Sequence, residues 1–105
     1  MISHQKIDEH VWNAVRVGLI GEIYCDIRAI VISLVDKNMK IIYCLDRPPT
    51  EYDYESIDIV ASNIEASLPL GFLTVMEVEC LHWTRSLNEM EQLGSVAYAR
   101  REYDD

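Results

Sequence analysis

Apolar residues recur at helical spacing along the first fifth of the chain and then give way to β-rich runs. Ile7, Val11, Ala14, Val15, Gly18 and Leu19 fall on one face of a helix. The spacing predicts a helix from His4 to Leu19, with Ser3 as N-cap and Gly21 as the stop. The run IRAIVISLV, Ile27 to Val35, is nearly continuous and rich in β-branched residues, which suits a central strand covered on both faces. Asp36 to Met39 reads as a turn, and Lys40 to Leu45 returns as a second strand, closing an antiparallel hairpin.

The tetrapeptide Asp46-Arg47-Pro48-Pro49 breaks this pattern, because proline lacks a backbone donor and keeps its predecessor out of helical geometry. A second helix is predicted just after it. Thr50 stands at its N-cap with Asp53 three residues on, and Ile57, Val60, Ala61, Ile64 and Leu68 follow at helical spacing. Leu68-Pro69-Leu70-Gly71 ends that helix. Phe72 to Trp83 reads as a long third strand, Ser86 to Gly94 as a polar loop, and the run from Ser95 to Tyr103 as a fourth strand. The order α-β-β-α-β-β, with neither repeat nor linker, predicts one α+β domain over residues 1–105, an antiparallel sheet with both helices packed on it.

Charge narrows what such a domain meets. The chain has a net charge of −9 and a pI near 4.6, which disfavours direct binding of nucleic acid, where affinity comes chiefly from Lys and Arg. Between Arg47 and Arg85 there is no Lys or Arg at all, yet the stretch carries Glu51, Asp53, Glu55, Asp58, Glu65, Glu77 and Glu79. At about 100° per residue, Glu51, Glu55, Asp58 and Glu65 fall within an arc of roughly 80°, opposite the apolar positions of the second helix. Asp53 departs from this stripe and is assigned to capping. On the third strand Glu77 and Glu79 share one face, on which Leu73, Leu81 and Trp83 are also expected, while Met76, Val78 and Cys80 face the core. Carboxylates mixed with Trp and Leu suit a protein-binding patch. The competing readings are a solvated helix face for the acids and core packing beneath the first helix for Leu81 and Trp83, and Trp12 shares that ambiguity.

Candidates for chemistry are few. Cys80 and His82, two apart on a strand, could begin a metal site or a thiol-base pair, but His4, His10, Cys25 and Cys44 supply no further ligand at ligand spacing, so both are read as structural. The four glycines are scattered and form no phosphate-binding loop. Exposed helix acids lack the contrasting environments that separate a catalytic acid from a base. No catalysis, cofactor or metal is therefore expected. The three cysteines read as buried free thiols of a reducing compartment. With no cationic leader and no apolar run of about 20 residues, a cytoplasmic address is expected. Neighbouring Arg100 and Arg101 must face opposite sides of a strand, so one of them is expected to pair with a carboxylate near the core edge.

The block YCLDRPPTEYDYESIDIVASNI, with the terminal VAYARREYD, resembles the small acidic immunity proteins encoded beside contact-dependent-inhibition and other polymorphic toxins of bacteria. The resemblance covers about half of the chain. It implies a cytoplasmic, non-catalytic inhibitor that binds the C-terminal domain of a cognate toxin, often a basic nuclease acting on tRNA, and blocks its active site. It transfers no binding residue by position. From charge and face alone, the candidate toxin-binding residues are Glu51, Glu55, Asp58, Glu65, Glu77, Glu79 and Trp83. Two other readings compete: an adaptor module that homodimerises through a sheet edge, with exposed Tyr98 and Trp83 at the interface, and a thiol- or metal-dependent enzyme using Cys80 and His82.

Overall fold

The computed structural model describes residues 7–102. The elements in chain order are α1 (Glu9–Leu19), β1 (Ile27–Val35), β2 (Asn38–Leu45), α2 (Glu51–Ala66), β3 (Val75–His82), a 3₁₀ segment (Leu87–Gln92) and β4 (Ser95–Ala99). The α+β class and the α-β-β-α-β-β order match the sequence reading. Helix α1 begins later than periodicity suggested. Asp8 caps it, its carboxylate accepting the Val11 N–H at 3.0 Å, and the proposed Ser3 cap lies outside the described residues.

The strands lie in the order β3-β2-β1-β4, so β1 is internal as its apolar run required. Pairing of Val35 with Asn38 starts β2 two residues earlier than expected. It leaves Asp36 and Lys37 as the turn, with Asp36 at φ 55°, a left-handed conformation that Asp tolerates. Where the sequence suggested an antiparallel sheet, this one is mixed. The β1–β2 and β1–β4 pairs are antiparallel, but β2 and β3 run parallel, from Asn38 beside Val75 to Leu45 beside His82. A two-residue turn can join only antiparallel neighbours. The 16-residue α2 instead carries the chain back along the sheet, and the Thr74 N–H docks on the Lys37 carbonyl at 2.8 Å to start β3 level with β2.

Both helices cover one face of the sheet. There Ile30, Ile32, Ile41, Tyr43, Leu45 and Cys80 meet Ile57, Val60 and Ile64 of α2 and Val11 and Val15 of α1 in a single core. Helix α1 packs chiefly on α2, and Gly18 permits the close approach, since a Cβ there would stand 2.7 Å from Ile64 Cγ1. Each fully buried aliphatic side chain in this layer contributes roughly 1.5–3 kcal/mol relative to exposure.

The opposite face has a second, smaller core. Ala29, Val31, Ile42 and Cys44 are capped by Met90, with Leu81, Trp83, Leu87 and Leu93 packed around them. The stretch read as a polar loop is therefore half of a hydrophobic layer. Its apolar residues recur every third position, Leu87, Met90 and Leu93, the period of a 3₁₀ turn. Gly94 follows at φ 152°, and a Cβ there would lie 2.6 Å from the Ile32 carbonyl oxygen, so this close crossing over β1 admits only glycine.

Candidate protein-binding surface

Two Arg–carboxylate clusters fix the surface before any partner arrives. In the first, Asp53 on α2 is 0% exposed and accepts hydrogen bonds from Arg47 Nη1 at 2.7 Å and Nη2 at 3.0 Å, from the Thr50 N–H at 2.7 Å, and from the Tyr24 hydroxyl. Arg47 Nε donates in turn to Asp26 at 2.8 Å. Burial alone would raise the Asp53 carboxyl. The donated hydrogen bonds of Arg47, Tyr24 and Thr50 outweigh it and hold the group well below the usual carboxylate range. The capping role assigned to Asp53 is thus real but partial, because the same carboxylate also ties α2 to the segment preceding β1 and to the end of β2.

In the second cluster Glu102 receives both Arg28 and Arg100, Arg28 through two bonds of 2.8 Å. The Arg28 hydrogen bond is the main cause that lowers its carboxyl to about 2. Arg28 Nη1 also donates to the Trp83 and Arg85 carbonyls, and Arg100 Nη1 to Asp46. Arg100 thus meets carboxylates, as expected of one arginine of the pair, although it lies just past β4 rather than within a strand, and it holds the segment after β4 against the loops at the start of β1 and the end of β2.

Glu51, Glu55, Asp58 and Glu65 are all exposed on α2, and among the described residues none forms an ion pair. The stripe is real and locally uncompensated. Glu51 and Glu55 stand at i,i+4 and Glu55 and Asp58 at i,i+3, where like charges destabilise a helix by a few tenths of a kcal/mol per pair. Three apolar or aromatic neighbours escaped the sequence reading. Tyr52 (60% exposed) and Ile59 (49% exposed) border the stripe on one side and Tyr54 (43% exposed) on the other. The same helical wheel that grouped the acids places them there, but attention to charge alone passed over them. Tyr52 is also held in place: its ring meets Tyr24 edge-on at 5.2 Å, and Tyr24 is the residue that donates to Asp53. The Arg47–Asp53 pair, with its carboxylate buried, thus orients an exposed aromatic beside the acids.

Glu77 and Glu79 do not join this surface. They lie on the helix-free face of the sheet, and Glu79 is bridged to Lys40 at 2.9 Å. Met76, Val78 and Cys80 face the helices as expected, but so does Leu73, which precedes β3 in the turn after α2 and packs into the main core with Phe72. Trp83 is half-buried in the smaller core, its indole N–H donating to the Ser86 carbonyl at 3.1 Å, and it lies beneath the 3₁₀ segment rather than beneath α1. Tyr98 is likewise half-buried against the main core, so the exposed Tyr98–Trp83 pair that the adaptor reading required is not formed.

No group of three or more His, Cys, Asp or Glu among the described residues is arranged to hold a metal ion. Cys80 is buried and His82 exposed. Burial raises the thiols of Cys44 to about 11 and Cys80 to about 12, whereas Cys25 is exposed, against the expectation that all three would be buried. A thiol reagent is expected to modify Cys25 alone in the native protein and all three cysteines after denaturation. Mass spectrometry of the intact labelled chain counts them, and native labelling at Cys80 would contradict this packing. No helix among the described residues is long and apolar enough to cross a membrane.

These features describe a small acidic α+β domain with an internally locked charge framework and an unpaired carboxylate stripe on one helix, an architecture suited to holding a binding surface rigid. The model of the MafI2 immunity protein family matches residues 8–102, and the chain belongs to that family. A toxin-neutralising immunity role follows from that membership. No curated protein matches the chain.

Proposed function

We propose that this immunity protein acts in the cytoplasm by binding the C-terminal domain of a contact-dependent or related polymorphic toxin, and that the α2 stripe is the docking element. Glu51, Glu55, Asp58 and Glu65 enter a basic, nuclease-like groove and occupy the place of substrate phosphates, while Tyr52 and Ile59 supply apolar contact beside them. Inhibition needs no cofactor, no catalysis and no direct contact with nucleic acid.

The observation that carries this reading is the uncompensated stripe. A helix with like charges at i,i+4 and i,i+3 and no cation of its own gives up stability that a single Lys would restore, which is the trade expected where charge serves a partner. Anchoring of Tyr52 through Tyr24 and Asp53 also lowers the ordering cost of binding.

Stopped-flow association with the toxin domain encoded in the adjacent reading frame tests it. The association rate is expected to fall at least about tenfold between low and roughly physiological ionic strength, because steering by a single-sign surface is screened over about 8 Å. A rate insensitive to salt would reject docking through the stripe.

A further inference from the structure

The 3₁₀ segment covers only part of the helix-free sheet face. Beside it an open groove of about 650 Å³ remains, within the range of about 300–1,000 Å³ found for ligand clefts. Ile42, Val75 and Leu93 give it an apolar lining, and Lys40, Glu77 and Glu79 its charge. Parallel pairing sets Lys40 beside Glu77 in register, yet the Lys40 ammonium bonds Glu79 at 2.9 Å. Glu77 is exposed and, among the described residues, forms no ion pair. The groove thus combines an apolar lining with one unspent carboxylate.

We propose that this groove is a second anchoring site for the toxin domain and takes a lysine or arginine side chain, its aliphatic stem along Ile42 and Val75 and its cationic head at Glu77, beside the Lys40–Glu79 bridge. The proposal rests on the toxin-binding reading above. Long cationic side chains cover apolar surface with their stems while keeping the charge at a polar rim, which is the distribution of groups found here. A second copy of this chain is a poor occupant, because it would bring a surface of the same sign from a protein of net charge −9. Nucleic acid is repelled for the same reason. The groove and the α2 stripe lie on opposite sides of β3, which is an edge strand packed against α2. A partner that embraces this edge reaches both.

Calorimetric titration of the full chain against the toxin domain from the adjacent reading frame separates the two surfaces. Glu77→Lys is expected to weaken binding about tenfold and Glu77→Gln about threefold, a graded response set by charge. Glu77→Gln, nearly identical in shape, keeps the test open if the lysine variant fails to fold. Wild-type affinity in both variants, with a loss in Glu55→Lys, would overturn the groove and leave the α2 reading standing. A loss at Glu77 with none at Glu55 would support the groove and reject the stripe. Wild-type affinity at both positions, or no binding by the wild-type chain, would overturn both.

Discussion

Reversing Glu51, Glu55 and Asp58 to lysine together is expected to weaken toxin binding by about a thousandfold or more while the fold persists. Each reversal replaces an attraction with a repulsion, and close charge pairs at interfaces couple strongly enough that three reversals reach this scale. The fold survives because all three side chains are exposed and none is in an ion pair among the described residues. Loss of Glu51 from the first turn removes a favourable interaction with the helix dipole, a cost of a few tenths of a kcal/mol. The single variant Glu55→Lys sharpens the prediction, because it places a lysine four residues after Glu51 and three before Asp58 and relieves both like-charge pairs. It should bind toxin less well and melt at the same or a slightly higher temperature. Parallel loss of affinity and melting temperature would show that these acids serve the fold, and unchanged affinity in the triple variant would remove the stripe from the binding surface.

Asp53→Asn is expected to be the most destabilising conservative substitution on α2, by about 3 kcal/mol, or about 12 °C or more in melting temperature for a domain of this size. The carboxylate accepts from Arg47, Thr50 and Tyr24 around both oxygens. An amide offers one acceptor oxygen and turns an NH₂ group toward donors, leaving donors of Arg47, Thr50 or Tyr24 without their acceptor at a buried position and Arg47 with Asp26 as its remaining carboxylate. The pH dependence has a definite sign. Asp53 and Glu102 both titrate lower in the folded protein than in the unfolded chain, where they lie at about 3.9 and 4.3. Their stabilisation is complete above those values and is lost as pH falls, for Glu102 between about 4.3 and 2, for Asp53 further into acid. Calorimetric melting from pH 7 to 2 should show the wild-type temperature falling below about pH 4.5 and a shallower fall in Asp53→Asn. Equal slopes would mean that Asp53 carries no charge-linked stability.

The two predictions meet in one chain of contacts. Arg47 holds Asp53, Asp53 holds Tyr24, and Tyr24 holds the exposed Tyr52 beside the acids, so Asp53→Asn should also weaken binding modestly by freeing that ring.

What the sequence determined was local and periodic. Helical spacing grouped Glu51, Glu55, Asp58 and Glu65 on the exposed side of α2, alternation put Glu77 and Glu79 opposite Cys80, and an unbroken β-branched run marked β1 as internal. The family, too, was legible in the block around α2. What only the tertiary structure decided depends on where segments distant in sequence come to rest. Helix α2 makes β3 parallel to β2, both helices fall on one sheet face, and so Glu77 and Glu79 are separated from the stripe they neighbour in composition. Trp83 is held beneath Met90 and Leu87, which alternation along one strand cannot foresee because the covering 3₁₀ segment follows that strand in the chain. The Arg47–Asp53–Tyr24 anchor joins residues up to 29 positions apart. Periodicity reports which side of an element is apolar; partners across the fold are chosen by chain path and burial, and those decide which carboxylates are spent inside the protein and which stay exposed at its surface.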